Sequence, residues 1–185
     1  MIHSIFQRFG VDYHPDAPQG ACTRRTLAAL GLGFSLVWAA GNAHAIDVLA
    51  GLPSTAATAS NPALVQTEQV RAELLLDAPD GWQAGKTVRL GLKLQHSPDW
   101  HTYWKNPGDS GAPIRLQWHL PQGAKAGDVA WPLPQRIPVA DMVNYGYARD
   151  VILSAPITIS QRPQAGEKIT LDAQWLVCRI ECVPQ

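Results

Sequence analysis

Neither sign of charge dominates this sequence. Fifteen Lys and Arg balance fifteen Asp and Glu over 185 residues, which leaves no electrostatic case for nucleic acid or an anionic membrane surface as partner. Helical periodicity is missing as well: beyond the first 65 residues no segment repeats its apolar side chains every 3.6 positions. Internal repeats are absent. Apolar runs are short. TLAALGLGFSLVWAA, Thr26 to Ala40, has 15 residues, fewer than the roughly 20 that a helix needs to cross a bilayer. Cysteine is scarce: none lies between Cys22 and Cys178, and then Cys182 follows with only three residues intervening.

What is present begins with a targeting pattern. Arg24 and Arg25 precede the apolar run, and GNAHA follows it, with Ala43 and Ala45 at the −3 and −1 positions of a signal-peptidase site. Residues 1–45 are therefore expected to be a signal peptide, removed on export by a general or a twin-arginine route. Cys22 leaves with it, so two cysteines remain outside the cytoplasm, where a pair is free to be oxidised. Residues 46–65 include GLPSTAATASNPA, small and proline-rich, and read as a linker. One folded domain is expected over residues 66–185.

Strand patterns fill that domain. In VRLGLKL, Val88, Leu90, Leu92 and Leu94 alternate with Arg89, Gly91 and Lys93. In IRLQWHL, Ile114, Leu116, Trp118 and Leu120 alternate with Arg115, Gln117 and His119. Period-2 alternation describes strands with one buried and one wet face. VRAELLL, VILSAPITI and KITLDAQWLV are further strands, with turns expected at Pro79-Asp80-Gly81, Asn106-Pro107-Gly108, Pro121-Gln122-Gly123 and Ala165-Gly166. Trp82, Trp100, Trp104, Trp118, Trp131 and Trp175 supply much of a core. Several antiparallel strands over about 120 residues predict an all-β, immunoglobulin-like sandwich.

The cysteines close the last strand. Ile169, Leu171, Ala173, Trp175 and Val177 share its apolar face; Thr170, Asp172, Gln174, Leu176 and Cys178 share the other. Cys178 is thus expected to point away from the core, where a thiol can be attacked. On a straight strand the two cysteines would lie roughly 13 Å apart, and a disulfide needs Cα atoms within roughly 7 Å. The chain must turn at Arg179-Ile180-Glu181 for them to bond. So short a loop makes a poor staple but an easily exchanged bond. Arg179 would favour a thiolate and Glu181 would oppose it. Physics alone leaves redox exchange, an inert bridge and a metal clip all open.

Three blocks carry a family resemblance: DWHTYWKNPGDSGAP (99–113), VNYGYARDVILSAPITI (143–159) and WLVCRIECVP (175–184). In this order they resemble the N-terminal domain of the DsbD family of protein-disulfide reductases, its ScsB-like branch included. The resemblance spans about residues 66–184. It implies an immunoglobulin-like domain that takes electrons from a membrane domain of the same family and passes them to periplasmic thiol–disulfide oxidoreductases or cytochrome c maturation factors. Cys178 and Cys182 would be the redox pair, with Cys182 attacking and Cys178 resolving. No cofactor is needed. The best-known members separate their cysteines by five residues; three is the ScsB-like spacing. Their cap loop carries Phe-Tyr-Gly where this sequence reads Asn144-Tyr145-Gly146, which makes Tyr145 or Tyr147 the candidate shield. Full-length members continue into membrane helices and a thioredoxin-like domain. The chain ends directly after Pro184, and the expectation is a truncated product, periplasmic, tethered to the inner membrane where those domains are present.

Other motifs have simpler readings. GDSGAP, residues 108–113, copies the nucleophile motif of chymotrypsin-like proteases, but too little chain flanks Ser110 for two barrels and neither His96 nor His101 has the context of a base. A loop in which Asp109 binds backbone N–H groups is expected instead. WHTYW, Trp100 to Trp104, is expected to be core and strand-end packing rather than a platform. His96, His101 and His119 are not at metal-ligand spacing, and each reads as a surface histidine. Cu(I) binding by the two thiolates in copper tolerance is the alternative function, and a non-catalytic binding module a third.

Overall fold

The computed structural model describes residues 7–12, 62–164 and 166–185. These form thirteen strands: β1 (Gln7–Asp12), β2 (Leu64–Gln66), β3 (Val70–Asp77), β4 (Thr87–His96), β5 (Thr102–Gly108), β6 (Arg115–His119), β7 (Ala124–Ala126), β8 (Gln135–Val139), β9 (Met142–Tyr147), β10 (Val151–Ile159), β11 (Lys168–Gln174), β12 (Leu176–Cys178) and β13 (Cys182–Pro184). No helix occurs among the described residues, so none there is long and apolar enough to cross a membrane.

The predicted alternation builds the centre of the fold. β4 lies between β3 and β10, and β2 and β7 extend this sheet to the order β2-β3-β4-β10-β7. Leu92 faces Leu74 on one side and Leu153 on the other. Val88, Leu90, Leu92 and Leu94 are buried while Arg89 is exposed. A second sheet, β1-β11-β6, turns Leu171 and Ala173 toward the same core, where they join Val70, Ala72, Leu74 and Leu153. Each such leucine stabilises the fold by about 1.5–3 kcal/mol. The architecture is an immunoglobulin-like sandwich, with a third sheet, β5-β9-β8, and the β12-β13 hairpin beside it.

Three elements depart from the sequence reading. Asn106-Pro107-Gly108 is not a turn: β5 runs through it, and the pairing with β9 shifts register between Tyr103 and Gly108. A bulge lets proline sit inside the strand, since its missing N–H falls where the ladder is already broken. The stretch from Lys168 to Cys178 is two strands, because the chain leaves β6 at Gln174 and pairs with β13 from Leu176. Residues 7–12, inside the stretch assigned to the signal peptide, add β1 to the edge of β11. Phe9 is wholly buried there, and the Arg8 guanidinium donates to both carboxylate oxygens of Asp172 at 2.7 and 2.9 Å. The rest of the stretch expected to be a signal peptide, Cys22 included, residues 46–61 of the expected linker and Ala165 lie outside the described residues.

Turns fall as expected at Pro79-Asp80-Gly81, where the Gly81 amide donates to the Ala78 carbonyl (2.9 Å), and at Pro121-Gln122-Gly123, where that of Ala124 donates to Pro121 (3.1 Å).

Candidate active site

The hairpin is assembled from its base upward. At the base, Trp175 and Gln185 exchange both backbone hydrogen bonds at 2.8 Å, and the Trp175 indole Nε1 donates to Gln185 Oε1 at 3.1 Å. The Gln185 amide nitrogen donates to Thr67 Oγ1 (3.1 Å) and Gln69 Oε1 (2.9 Å). A buried primary amide tolerates its surroundings only when its groups are paired in this way. At the tip, the chain turns through Arg179, Ile180 and Glu181, and the Arg179 amide donates to the Glu181 carbonyl at 2.9 Å. Cys178 and Cys182 therefore face each other across the hairpin, bonded, with Cα atoms 4.1 Å apart. The turn that the spacing demanded is present.

The two sulfurs differ in access. Cys182 is exposed. Cys178 is only 3% exposed, against the expectation that it points into water. The alternation itself holds, since Val177 beside it is in the core. What the strand could not show is the cover on its other side. There the entry to β5 lies alongside: the His101 amide donates to the Cys178 carbonyl and that of Cys178 to the His101 carbonyl, both at 2.9 Å. A reverse bend delivers this segment. Asp99 takes a left-handed conformation, φ 68°, one of the few side chains that tolerates it, and the Trp100 amide donates back to the Ser97 carbonyl at 3.1 Å.

WHTYW is packed, as expected: Trp100, His101, Thr102 and Tyr103 are buried, and Trp104 rests on the main core. It is also the neighbour of the disulfide. Arg179 lies over the Trp100 ring, 5.0 Å from its centroid, which spends its cation on an aromatic face. His101 and Tyr103, two apart on one strand, meet edge to face at 5.3 Å.

The GDSGAP loop covers this side. Gly111 sits at φ 89°, and a Cβ there would overlap the Tyr103 ring. The loop is latched to β9. Asp109 Oδ2 accepts from the Val143 amide at 2.8 Å, as its loop reading requires, and the amide and hydroxyl of Ser110 donate to Asn144 Oδ1 at 3.0 and 3.1 Å. Ser110 is thus bound to an amide rather than a histidine, which ends the protease reading. Gly146 is also required, since a Cβ there would overlap the Thr102 carbonyl oxygen. Of the candidate shields, Tyr147 belongs to the core, its hydroxyl donating to the Pro132 carbonyl at 2.9 Å, and burial pushes that hydroxyl up to about 12. Tyr145 is 39% exposed and lies beside Gly108.

The histidines are not alike. His119 is on the surface and bonds Asp172 Oδ2 at 3.0 Å. His96 is held between the Arg149 carbonyl and Thr102 Oγ1, both at 2.9 Å, and burial lowers its pKa. His101 is buried and correspondingly lowered, and its Nε2 has no hydrogen-bond partner among the described residues. The surface reading of His101 fails because the hairpin and the loop close over it. No group of three or more His, Cys, Asp or Glu side chains gathers as a metal site among the described residues. Sequence reasoning missed Asn144, Gln185 and the pairing of His101 with Cys178. Only a buried-amide bonding pattern and a long-range strand pairing reveal them, and neither leaves a local signal.

A sequence profile described as the N-terminal region of the thiol:disulfide interchange protein DsbD matches residues 71–185, well over half of the chain. The chain belongs to the DsbD N-terminal family. The chemistry of that family is thiol–disulfide exchange, which fits a disulfide with one sulfur in reach of solvent. Among solved structures, the N-terminal periplasmic domain of ScsB from Proteus mirabilis is similar in fold, with a TM-score of 0.51 and 20% identity over 66% of this chain and 47% of that one. The chain thus spans about half the length of that structure. No curated protein matches the sequence significantly.

Proposed function

We propose that this DsbD N-terminal domain relays electrons in the periplasm, from a membrane reductase domain of its family to the disulfides of periplasmic oxidoreductases, through Cys178 and Cys182. The observation that carries the reading is the unequal access of the two sulfurs in one hairpin. An attacking thiolate can reach Cys182 and not Cys178. In the reduced domain Cys182 attacks a partner disulfide and forms a mixed disulfide; Cys178 then attacks Cys182 and releases the reduced partner. By the family resemblance, the exposed Tyr145 is the candidate for the shield that limits access between encounters.

Trapping tests this. The reduced Cys178→Ser chain should accumulate mixed disulfides through Cys182 with a periplasmic partner in its disulfide form, and the Cys182→Ser chain should accumulate none. Equal trapping by both variants overturns the assignment of roles. A wild-type potential below about −300 mV overturns the relay and makes the bond an inert bridge.

A further inference from the structure

The resolving step has a chemical difficulty. A buried thiol holds its proton, because its thiolate loses the solvation of water. Cys178 is the buried sulfur, yet it must become a nucleophile for the mixed disulfide to resolve. Something beside it has to accept the proton.

The fold offers one group. His101 and Cys178 exchange both of their backbone hydrogen bonds. Residues paired in this way project their side chains from the same face of the sheet, with Cβ atoms about 5.5 Å apart. Trp100 and Val177, one step away on each strand, both point into the main core, so His101 and Cys178 share the opposite face. That face is closed by Tyr103 and the Gly111 turn. The imidazole is 6% exposed and its Nε2 is unpartnered. A buried nitrogen left without a partner is costly unless it is used.

We propose that His101 is the proton-transfer partner of Cys178. This rests on the exchange reading above and assigns a further residue to it. In the step, His101 Nε2 accepts the proton of the Cys178 thiol. The electron pair of Cys178 sulfur forms the bond to Cys182 Sγ. The bond between Cys182 and the partner sulfur breaks, and the partner sulfur leaves as a thiolate with that bond's electron pair. The imidazolium returns its proton to the departing thiolate or to water. Over the full cycle the cysteine pair is oxidised by two electrons and the partner disulfide is reduced. Burial keeps the His101 imidazole neutral in the resting domain, so it is free to act as an acceptor. The other ionisable groups around this face are Tyr103, held protonated by burial; His96, which feels the charge of His101; and Arg179 and Glu181, exposed in the hairpin turn. None of these is the strand partner of Cys178.

The test uses the full chain, reduced beforehand and with Cys22 replaced by serine so that only Cys178 and Cys182 report, and an aromatic disulfide that releases a coloured thiolate. The first thiolate reports attack by Cys182, the second reports resolution by Cys178. His101→Gln should leave the first release unchanged and slow the second by about 10²-fold near neutral pH, with the gap closing at alkaline pH, where Cys178 ionises unaided. Equal second-phase rates and pH profiles overturn the proposal. A wild-type chain that releases no second thiolate sinks the exchange reading itself, a different outcome from a normal wild type insensitive to His101→Gln. Should the variant not fold, the His101 ring titration followed by NMR in wild-type chain decides. Its midpoint should be higher in the reduced than in the oxidised domain, and equal midpoints overturn the proposal.

Discussion

The β3-β4-β10 centre and the β12-β13 hairpin are built on opposite terms. The centre uses strands of eight to ten residues, paired on long registers, whose alternate side chains reach a common core. The hairpin has two strands of three residues each, too short to be stable alone. Its position comes from elsewhere: the Trp175–Gln185 clamp, the His101 bridge and the bond between the sulfurs. Stability and reactivity are thereby separated. The sandwich carries the folding free energy, and in the proposed exchange the hairpin changes covalent state at its margin.

That contrast can be broken by moving cost from one region to the other. The largest effect is expected in the centre. Leu153→Ala should lower the unfolding free energy by about 2–5 kcal/mol, whereas reducing the disulfide, which closes a minimal loop, should lower it by no more than about 2 kcal/mol. Denaturant unfolding of both forms checks this, and a larger loss on reduction would mean that the hairpin holds the sandwich. Next comes the latch. Asn144→Ala strands the donors of Ser110 and should cost about 1–3 kcal/mol. It should also raise amide exchange at Ser110 and speed reduction by a small dithiol, because the loop over Tyr103 is released. Unchanged reduction would show that the loop does not guard the sulfurs.

The smallest effect sharpens the comparison at the far edge, on β11. Arg8, assisted by His119, holds the Asp172 carboxyl down at about 2, below its ordinary 3.8. A carboxylate depressed in the folded state adds stability above its unfolded pKa and loses it as pH falls through the folded one. The advantage of wild type over Arg8→Ala should therefore be full above about pH 4, shrink as pH falls and vanish below about pH 2. Melting temperatures across that window test it. A constant difference would mean that Arg8 acts by packing alone. Because Arg8 lies in β1, the same measurement reports whether the first strand occupies its place beside β11.

Much of the centre was legible in the sequence because its signal is local. Val88, Leu90, Leu92 and Leu94 reveal both strand and buried face, and a bond between cysteines with only three residues between them on a strand requires a turn. Cys178 was misread for the complementary reason. Its own strand fixes the direction of the side chain, but its cover comes from His101, 77 positions earlier in the numbering. β5 was cut short at Pro107-Gly108 because turn chemistry and a bulge use the same residues. β1 was unreadable as part of the domain because six residues ahead of an apolar run carry a targeting signature more strongly than a pairing one. The family resemblance agrees with the profile match over residues 71–185, while the two tyrosines it suggested as a lid part ways: Tyr147 packs inward and Tyr145 is exposed.

Gln185 carries one last consequence. Its backbone and side chain tie the outgoing arm of the hairpin to Trp175, Thr67 and Gln69, none of which depends on sulfur chemistry. When the bond opens, the arms stay anchored at their root, and each thiol remains at a high effective molarity toward the other. Under the proposed exchange, closure is an intramolecular event set by the scaffold, and a captured partner would be released promptly rather than linger as a dead-end adduct.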